Sequence, residues 1–286
     1  MKKKVIALVS IALALILTIV LIITIVIVPS CQIETTIEKI EISGKRTSSV
    51  ELKKYFAGLD DREENELLST KWYKASVIVK RTEKIKENEN APLQQVLSEV
   101  YNASGKIYYS PFSYETKYEF DTKMQSTTVE NGKTINAEED GEFTYFRGSY
   151  YYQADREETV DGKKKESEIK SGVKLSILTE FLDEKDILEI IEKQSYEFTL
   201  GLLTDATLYK INKGFIATYS QEDKLKVTIS CTFKSGSMQI SECSIYVWQR
   251  DYGSNYEDIR EYRIDISGAL FGRSISLPDE FWLFTK

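Results

Sequence analysis

The sequence predicts an α+β protein that is mainly antiparallel β, with a curved, meandering sheet packed on a few helices. Long segments alternate apolar and polar residues, and Asn-Gly or Asp-Gly pairs separate several of them, which together predict strands joined by tight turns. Two further stretches carry apolar residues at helical spacing and predict the helices. These elements follow an N-terminal segment that reads as a signal or transmembrane helix.

That N-terminal segment begins with three lysines and continues as the uncharged apolar run Val5–Val28. As a helix, the run would span about 36 Å, enough to cross a hydrocarbon core of ~30 Å. The lysines favour the cytoplasmic side, which places everything after Cys31 outside. We therefore predict an anchor segment at 1–31 and a single extracytoplasmic domain at 32–286, with 32–90 as a candidate N-terminal extension, attached to the cell membrane.

Cys31 is the candidate lipidation site. The residues before it resemble a bacterial lipobox, with Val28 at position −3 and Ser30 at −1. Pro29 departs from that pattern, and the apolar run is longer than an ordinary signal core. Three alternatives stay open: lipidation of Cys31, retention of Val5–Val28 as a transmembrane anchor, and ordinary secretion.

Composition narrows the function classes. The part after Cys31 has 35 basic and 45 acidic residues, a formal charge of −10, which disfavours nucleic-acid partners. The chain contains no histidine, which excludes Ser–His–Asp and Cys–His catalysis and most zinc sites. We find no motif for a nucleotide, metal or nucleophilic site, and so expect no catalytic residues, no metal and no cofactor.

Three stretches are predicted to be helical. Ser48 and Glu51 have the spacing of a capping box, and an apolar stripe follows them. Asn90 and Pro92 precede a second stripe, and further stripes lie within Ser176–Gln194. The second stripe comprises Leu93, Val96, Leu97, Val100 and Tyr101.

The strand signals are strongest in the middle of the chain. Trp72–Arg81 alternates, and the segment SYETKYEFD (113–121) has its aromatic residues on one face and its charged residues on a face expected to be wet. Turns are predicted at Asn131-Gly132, Arg147-Gly148 and Asp161-Gly162. The second of these turns would pair Tyr145 with Tyr150 and Phe143 with Tyr152, an aromatic ladder.

The remaining two cysteines fall in a predicted hairpin at 226–247. If Cys231 faces Cys243, Ile229 faces Ile245 and Val227 faces Val247, so one register aligns both the cysteines and the apolar face. Outside the cell such thiols tend to oxidise. We predict a Cys231–Cys243 disulfide, with two buried thiols as the alternative.

Tyrosine is unusually common, with 18 residues. Aromatic residues on the predicted strands are the candidates for lining an apolar ligand cavity, although strands favour aromatic residues in any case. The candidates are Tyr114, Tyr118, Phe120, Phe143, Tyr145, Tyr150 and Tyr152.

The hairpin EFTYFRGSYYYQ (142–153), within the order anchor, helices and meandering strands, resembles bacterial lipoproteins of the LolA/LppX type. The resemblance covers residues 90–280. It implies a curved, half-barrel-like sheet around helices and a non-catalytic protein that binds a lipid or another apolar molecule. Two other classes stay open: a surface adhesion or assembly module that uses exposed strands and tyrosines, and a cell-wall hydrolase that uses carboxylates.

Overall fold

The computed structural model describes residues 36–56, 71–110, 115–146, 149–171, 206–234 and 240–271. Within these ranges the chain forms one antiparallel sheet of twelve strands and one short helix, α1 (Ser49–Phe56). The strands are β1 (Lys45–Thr47), β2 (Lys71–Ile85), β3 (Gln94–Ser110), β4 (Glu115–Glu130), β5 (Lys133–Phe146), β6 (Ser149–Val160), β7 (Lys163–Ser171), β8 (Thr207–Ile211), β9 (Gly214–Gln221), β10 (Leu225–Phe233), β11 (Ile240–Tyr252) and β12 (Tyr256–Phe271).

The strand order is β1-β8-β9-β10-β11-β12-β2-β3-β4-β5-β6-β7. Two meanders, β2–β7 and β8–β12, are therefore joined where β12 pairs with β2. The short β1 pairs with β8 at the far edge. Residues 45–47 and 71–85 thus supply strands of the same sheet as the rest of the described chain.

The prediction of an α+β fold packed on several helices is wrong for the residues that the structure describes. The stretch predicted to be a second helix is the start of β3, which pairs with β2 on one side and β4 on the other. Beyond Tyr101 the pattern continues at period two, with Ala103 and Ile107 buried. Hydrogen bonding to two neighbours and burial of alternate side chains outweigh the local helical spacing. The stripes within Ser176–Gln194 lie outside the described residues.

The first predicted helix is confirmed as α1, together with its capping box. The backbone N–H of Glu51 donates to the Ser48 hydroxyl over 3.2 Å, and the backbone N–H of Ser48 donates to the Glu51 carboxylate over 3.4 Å. These bonds satisfy donors that a helix start leaves open. Leu52, one turn later, is fully buried in the core.

The predicted hairpins are confirmed in their registers. Asn131-Gly132 and Asp161-Gly162 form the turns, and all four residues have positive φ angles between 51° and 76°. Tyr145 pairs with Tyr150 and Phe143 with Tyr152, as the aromatic ladder requires. The turn residues Arg147 and Gly148 themselves lie outside the described residues.

One face of the sheet, the core face, carries the main apolar cluster. Val77 in β2, Ile107 in β3, Phe143 in β5 and Ile264 in β12 all point to it and are almost completely buried. Tyr73, Ala75 and Val79 share this face with Val77, so the alternation predicted for Trp72–Arg81 is confirmed.

The other face, the opposite face, is not uniformly wet. Lys117 was expected on a solvated face, but its side chain is completely buried. Its ammonium group donates to the Glu119 carboxylate and lies 5.5 Å from the centre of the Tyr108 ring. An acidic partner and an aromatic ring thus compensate for burying this charge, a situation that alternation alone does not reveal.

The segment 36–43 lies across this opposite face. Ile37 packs against Ile78 of β2 and Tyr246 of β11, forming a small second apolar cluster. Arg263 of β12 donates from Nη1 to the backbone carbonyl of Glu38 over 2.6 Å. These contacts hold the start of the described chain on the middle strands of the sheet.

Within the described residues no helix is both long enough and apolar enough to cross a bilayer. The run Val5–Val28 and the lipidation candidate Cys31 lie outside those residues, so their roles stay predictions.

Candidate functional site

The core-face residues of β3–β6 stand in rows across the sheet because antiparallel partners lie directly opposite one another. Six of the seven predicted ligand residues occupy two neighbouring rows, and we call them the aromatic block. One row is Tyr118, Tyr145 and Tyr150, and the next is Phe120, Phe143 and Tyr152. The seventh candidate, Tyr114, lies outside the described residues.

The rings of the aromatic block are in direct contact. Tyr118 stacks on Tyr145 with ring centroids 5.0 Å apart, and Tyr145 meets Tyr150 at the same separation with a tilt of 44°. Tyr145 and Tyr150 are half-buried, whereas the other four members are buried. The accessible part of the block is therefore the pair Tyr145 and Tyr150.

A row of small residues lies beside the aromatic block. Ala103, Thr122, Gly141 and Ala154 are successive register partners across β3, β4, β5 and β6. Tyr152 stands in the row on one side, and its hydroxyl reaches Glu139 in the row on the other. The small side chains leave room for the tyrosine ring to lie along the sheet.

Beyond the small row the core face becomes polar. We call Glu99, Tyr101, Glu139 and Arg156, together with Thr122 of the small row, the polar cluster. Glu139 is only 8% exposed, and its carboxylate accepts a hydrogen bond from the Tyr152 hydroxyl over 2.8 Å and one from Arg156 over 2.7 Å. Arg156 also donates to Glu158. Charge-assisted bonds of this kind compensate for the burial of a carboxylate.

Two hydroxyls of the polar cluster are buried without a partner. Tyr101 and Thr122 are 4% and 1% exposed, and among the described residues no group lies in hydrogen-bond geometry to either hydroxyl. Burial raises the pKa of Tyr101. Buried hydroxyls that lack partners are uncommon in folded proteins and call for an explanation.

Sequence analysis missed the polar cluster, although β5 and β6 carry a signal for it. In β5 the core-face series runs Ala137, Glu139, Gly141, Phe143, and in β6 it runs Tyr152, Ala154, Arg156. A charged residue within an otherwise apolar series indicates a buried, paired charge. What the sequence does not reveal is that the two strands are neighbours in the register that opposes these charges.

The cysteine register is confirmed. Cys231 lies opposite Cys243, Ile229 opposite Ile245 and Val227 opposite Val247. Both cysteines are buried as thiols, with their sulfur atoms 2.9 Å apart. The hydrogen bond with Cys243, together with burial, raises the pKa of Cys231. The disulfide itself stays a prediction.

The described residues contain no cluster of three or more cysteine, aspartate or glutamate side chains arranged to hold a metal ion. The aromatic block can make apolar contacts, and the polar cluster can make hydrogen bonds. Both lie on the core face: the aromatic block is on one side of the row of small residues, Thr122 of the polar cluster is in that row, and the other members of the cluster are beyond it.

No protein-family profile and no curated protein matches this chain. Among solved structures, the chain is similar to the translocator domain of the autotransporter NalP from Neisseria meningitidis, with 7% identity over 77% of this chain and 94% of that one and a TM-score of 0.33. The transport unit of the autotransporter AIDA-I from Escherichia coli follows, with 8% identity, coverages of 77% and 97% and a TM-score of 0.10. Similarities at this level carry no argument about the function of this chain.

Proposed function

We propose that this protein is a membrane-anchored, extracytoplasmic, non-catalytic binding protein whose β domain takes an apolar ligand on the aromatic block. The observation that carries the proposal is the contact row of Tyr118, Tyr145 and Tyr150, in which two half-buried rings continue a buried aromatic surface. Binding sites for apolar molecules are lined by such rings, with a few polar groups that fix orientation. The N-terminal apolar run would hold the domain at the membrane.

Two experiments test the proposal. Native mass spectrometry of the full chain, extracted gently from its own membrane, should reveal a co-purified apolar molecule. The purified chain should also bind the apolar dye N-phenyl-1-naphthylamine. A clean ligand-free mass together with no dye binding would reject the proposal.

Variants of the two half-buried tyrosines localise the site. Tyr145→Asn with Tyr150→Asn should abolish dye binding, because amides replace the accessible rings, whereas Tyr145→Phe with Tyr150→Phe should retain it. The matched control is Tyr252→Asn with Tyr256→Asn, two exposed tyrosines at the ends of β11 and β12. Equal losses in the test and control pairs would contradict this location.

A second function, surface assembly or adhesion, is favoured by a separate observation. Of the large apolar side chains that are exposed in the described part of the chain, five lie at one end of the sheet: Ile85, Leu93, Val129, Tyr252 and Tyr256. Tyr256 lies opposite Ile85 in the register. Exposed apolar groups collected at one end are typical of a contact surface. If this surface mediates assembly, the control pair of variants should reduce self-association of the full chain in crosslinking, and the Tyr145 and Tyr150 variants should not.

A further inference from the structure

Strand β7 lies at one end of the strand order and, among the described strands, pairs with β6 alone. Val160 and Lys163 flank the two-residue turn of this hairpin and therefore form a hydrogen-bonded pair. Bonded pairs alternate along antiparallel strands, so the backbone N–H and C=O groups of Lys164, Glu166 and Glu168 point away from β6. Within the described chain no backbone group pairs with them. β7 thus presents an open hydrogen-bonding edge.

This open edge is accessible to another chain. Residues 163–168 are all exposed, and Ile169 is half-buried against the main apolar cluster, which places the odd-numbered residues of β7 on the core face. β7 contains no proline or glycine, and its register with β6 is uninterrupted, so no bulge turns the edge away. An extended segment can therefore add to β7 as a further strand through backbone hydrogen bonds.

On the core face, the side chains at this edge are mainly cationic. Lys163 and Lys165 are exposed there, and the Glu158 carboxylate opposite Lys165 accepts hydrogen bonds from Arg156. Arg156 is shared with the buried Glu139 of β5, so three cations meet two carboxylates. An added strand would place its own core-face side chains beside the two lysines, where acidic residues fit best.

On the opposite face, the side chains of β6 and β7 are mainly acidic. The charged groups there are the carboxylates of Asp155, Glu157, Glu166 and Glu168 and the ammonium groups of Lys164 and Lys170. The two lysines form ion pairs with Glu157 and Glu168, and Glu166 lies opposite Glu157 in the register. Like charges that oppose each other directly are unfavourable, so basic residues of an added strand fit opposite Glu166 and Glu168.

A second copy of β7 fits this edge poorly. The outward backbone groups belong to even-numbered residues, so two antiparallel copies must oppose even-numbered residues to even-numbered residues. In each such register that overlaps most of the strand, one glutamate opposes another. The pairs are Glu166 with Glu166, Glu166 with Glu168, or Glu168 with Glu168. Because this repulsion destabilises strand pairing, the edge is suited to a different sequence.

We propose that β7 is the docking edge for an extended peptide segment of a partner protein, with acidic residues on one face of the segment and basic residues on the other. The segment adds antiparallel to β7. Its acidic side chains lie opposite Lys163 and Lys165, and its basic side chains lie opposite Glu166 and Glu168. The backbone hydrogen bonds attach the segment, and the charges select its register and sequence. The edge is separate from the aromatic block, so this inference does not depend on the proposed function.

The test measures the binding of two fluorescein-labelled peptides to the full-length chain in detergent by fluorescence anisotropy. The peptide TVKTKETE is complementary in charge when it runs antiparallel from Lys170 to Lys163. The peptide TVETEKTK has the same composition with its charges exchanged. We expect the complementary peptide to bind at least about tenfold more tightly than the exchanged one. Equal binding of the two peptides, or binding of neither, would overturn the proposal.

Two pairs of substitutions locate the binding. Lys163→Glu with Lys165→Glu should weaken binding of the complementary peptide at least about tenfold. Lys213→Glu with Lys224→Glu changes the net charge equally at two exposed turn positions and should leave the binding unchanged. Equal losses in the two pairs would mean that net charge, rather than this edge, governs binding, and would overturn the proposal.

Hydrogen exchange distinguishes strand addition from a contact between side chains. The backbone amides of Lys164, Glu166 and Glu168 should exchange more slowly once the complementary peptide is bound, and unchanged exchange in the complex would overturn strand addition. Glu166→Pro removes an outward N–H and no bond to β6, so it should abolish peptide binding. If this variant fails to fold, the exchange measurement on the unmodified chain decides. Self-association of the unmodified chain that Glu166→Pro abolishes would assign the edge to a second copy and overturn the peptide partner.

Discussion

Arg156 lies directly opposite Glu139 in the β5–β6 register and donates from Nη1 to the Glu139 carboxylate over 2.7 Å. The Glu139 side chain is 7% exposed and the Arg156 side chain 30% exposed, so the pair is partly shielded from solvent. Removing the arginine would leave the Glu139 carboxylate buried without a cation, which is strongly unfavourable for the folded state.

Arg156→Met should therefore lower the free energy of unfolding by about 2–3 kcal/mol, because Glu139 would keep only the Tyr152 hydroxyl as a partner. Urea unfolding of the purified chain measures the change. The control is Lys164→Met, which removes a cation from an exposed pair with Glu157 and should cause no measurable change. Equal losses in the two variants would mean that the Glu139 pair contributes no more than a surface contact.

Gly141→Val should destabilise the sheet by about 1–3 kcal/mol. A Cβ atom at Gly141 would lie 2.3 Å from the Gln153 carbonyl oxygen and 2.6 Å from the Ala154 Cβ, so strand β6 would have to move. Thermal unfolding monitored by circular dichroism tests this expectation. Thr134→Val, at an exposed position of the same strand, should have little effect. An unchanged melting temperature for Gly141→Val would contradict the close approach of β5 and β6.

Glu257 should make stability depend on pH at the acid end. Hydrogen bonds from Lys84 and Arg250 hold the pKa of Glu257 below its ordinary value of 4.5. Because the folded-state pKa is lowered, the stabilisation is fully present above about pH 4.5 and is lost as the pH falls through the folded-state pKa.

Urea unfolding from neutral to acid pH measures the free energy of unfolding of the unmodified chain and of the Glu257→Gln variant. The variant should be the less stable at neutral pH, and the difference should narrow as the pH falls below about 4.5. Glu222→Gln, at an exposed turn position, is the control, and its free energy of unfolding should depend on pH in the same way as that of the unmodified chain. A pH-independent difference for Glu257→Gln would refute the assigned cause.

Cys231 and Cys243 should be linked in the protein isolated from its own oxidising compartment, since their register already opposes the two side chains. Peptide mapping without reductant should recover the linked pair, and two free thiols there would reject the disulfide. Reduction should lower the free energy of unfolding by about 3 kcal/mol, because the link closes a short loop in the unfolded chain. A Cys243→Ser variant should be insensitive to reductant.

Cys31→Ser tests attachment at the N-terminus. If Cys31 is lipidated, the variant should accumulate as a precursor of higher mass and should incorporate no acyl label. Cys231→Ser is the matched control and should mature and be labelled as the unmodified chain is. Unchanged maturation of the Cys31 variant would reject lipidation and leave the other two alternatives, a retained membrane helix and ordinary secretion.

Local chemistry made much of the sheet predictable. The Asn-Gly and Asp-Gly turns require positive φ, which few other residue pairs adopt, so they fix where the hairpins turn. The cysteine hairpin was predictable because a single register pairs both its cysteines and its apolar residues. The six described members of the aromatic block could be placed on one face because neighbouring strands alternate in step.

The prediction of a helix after Pro92 was wrong, and it too rested only on residues that are close together in the sequence. The spacing of Val96, Leu97, Val100 and Tyr101 fits one face of a helix. It also fits a strand in the interior of a sheet whose side chains are at least half-buried on both faces. The decision between the two depends on β2 and β4, which supply the hydrogen bonds on both sides of β3. No window of sequence around residue 95 contains that information.

The sequence by itself determined the alternation of the strands, the positions of the Asn-Gly and Asp-Gly turns, the cap of α1 and the acidic charge of the exported part, because each depends on residues close together in the chain or on composition alone. The tertiary structure decided that Lys117 is buried beside Glu119 and that Glu139, Arg156 and the hydroxyls of Tyr101 and Thr122 meet next to the aromatic block. These side chains come from four strands, and only the pairing of those strands sets which of the charges and hydroxyls meet.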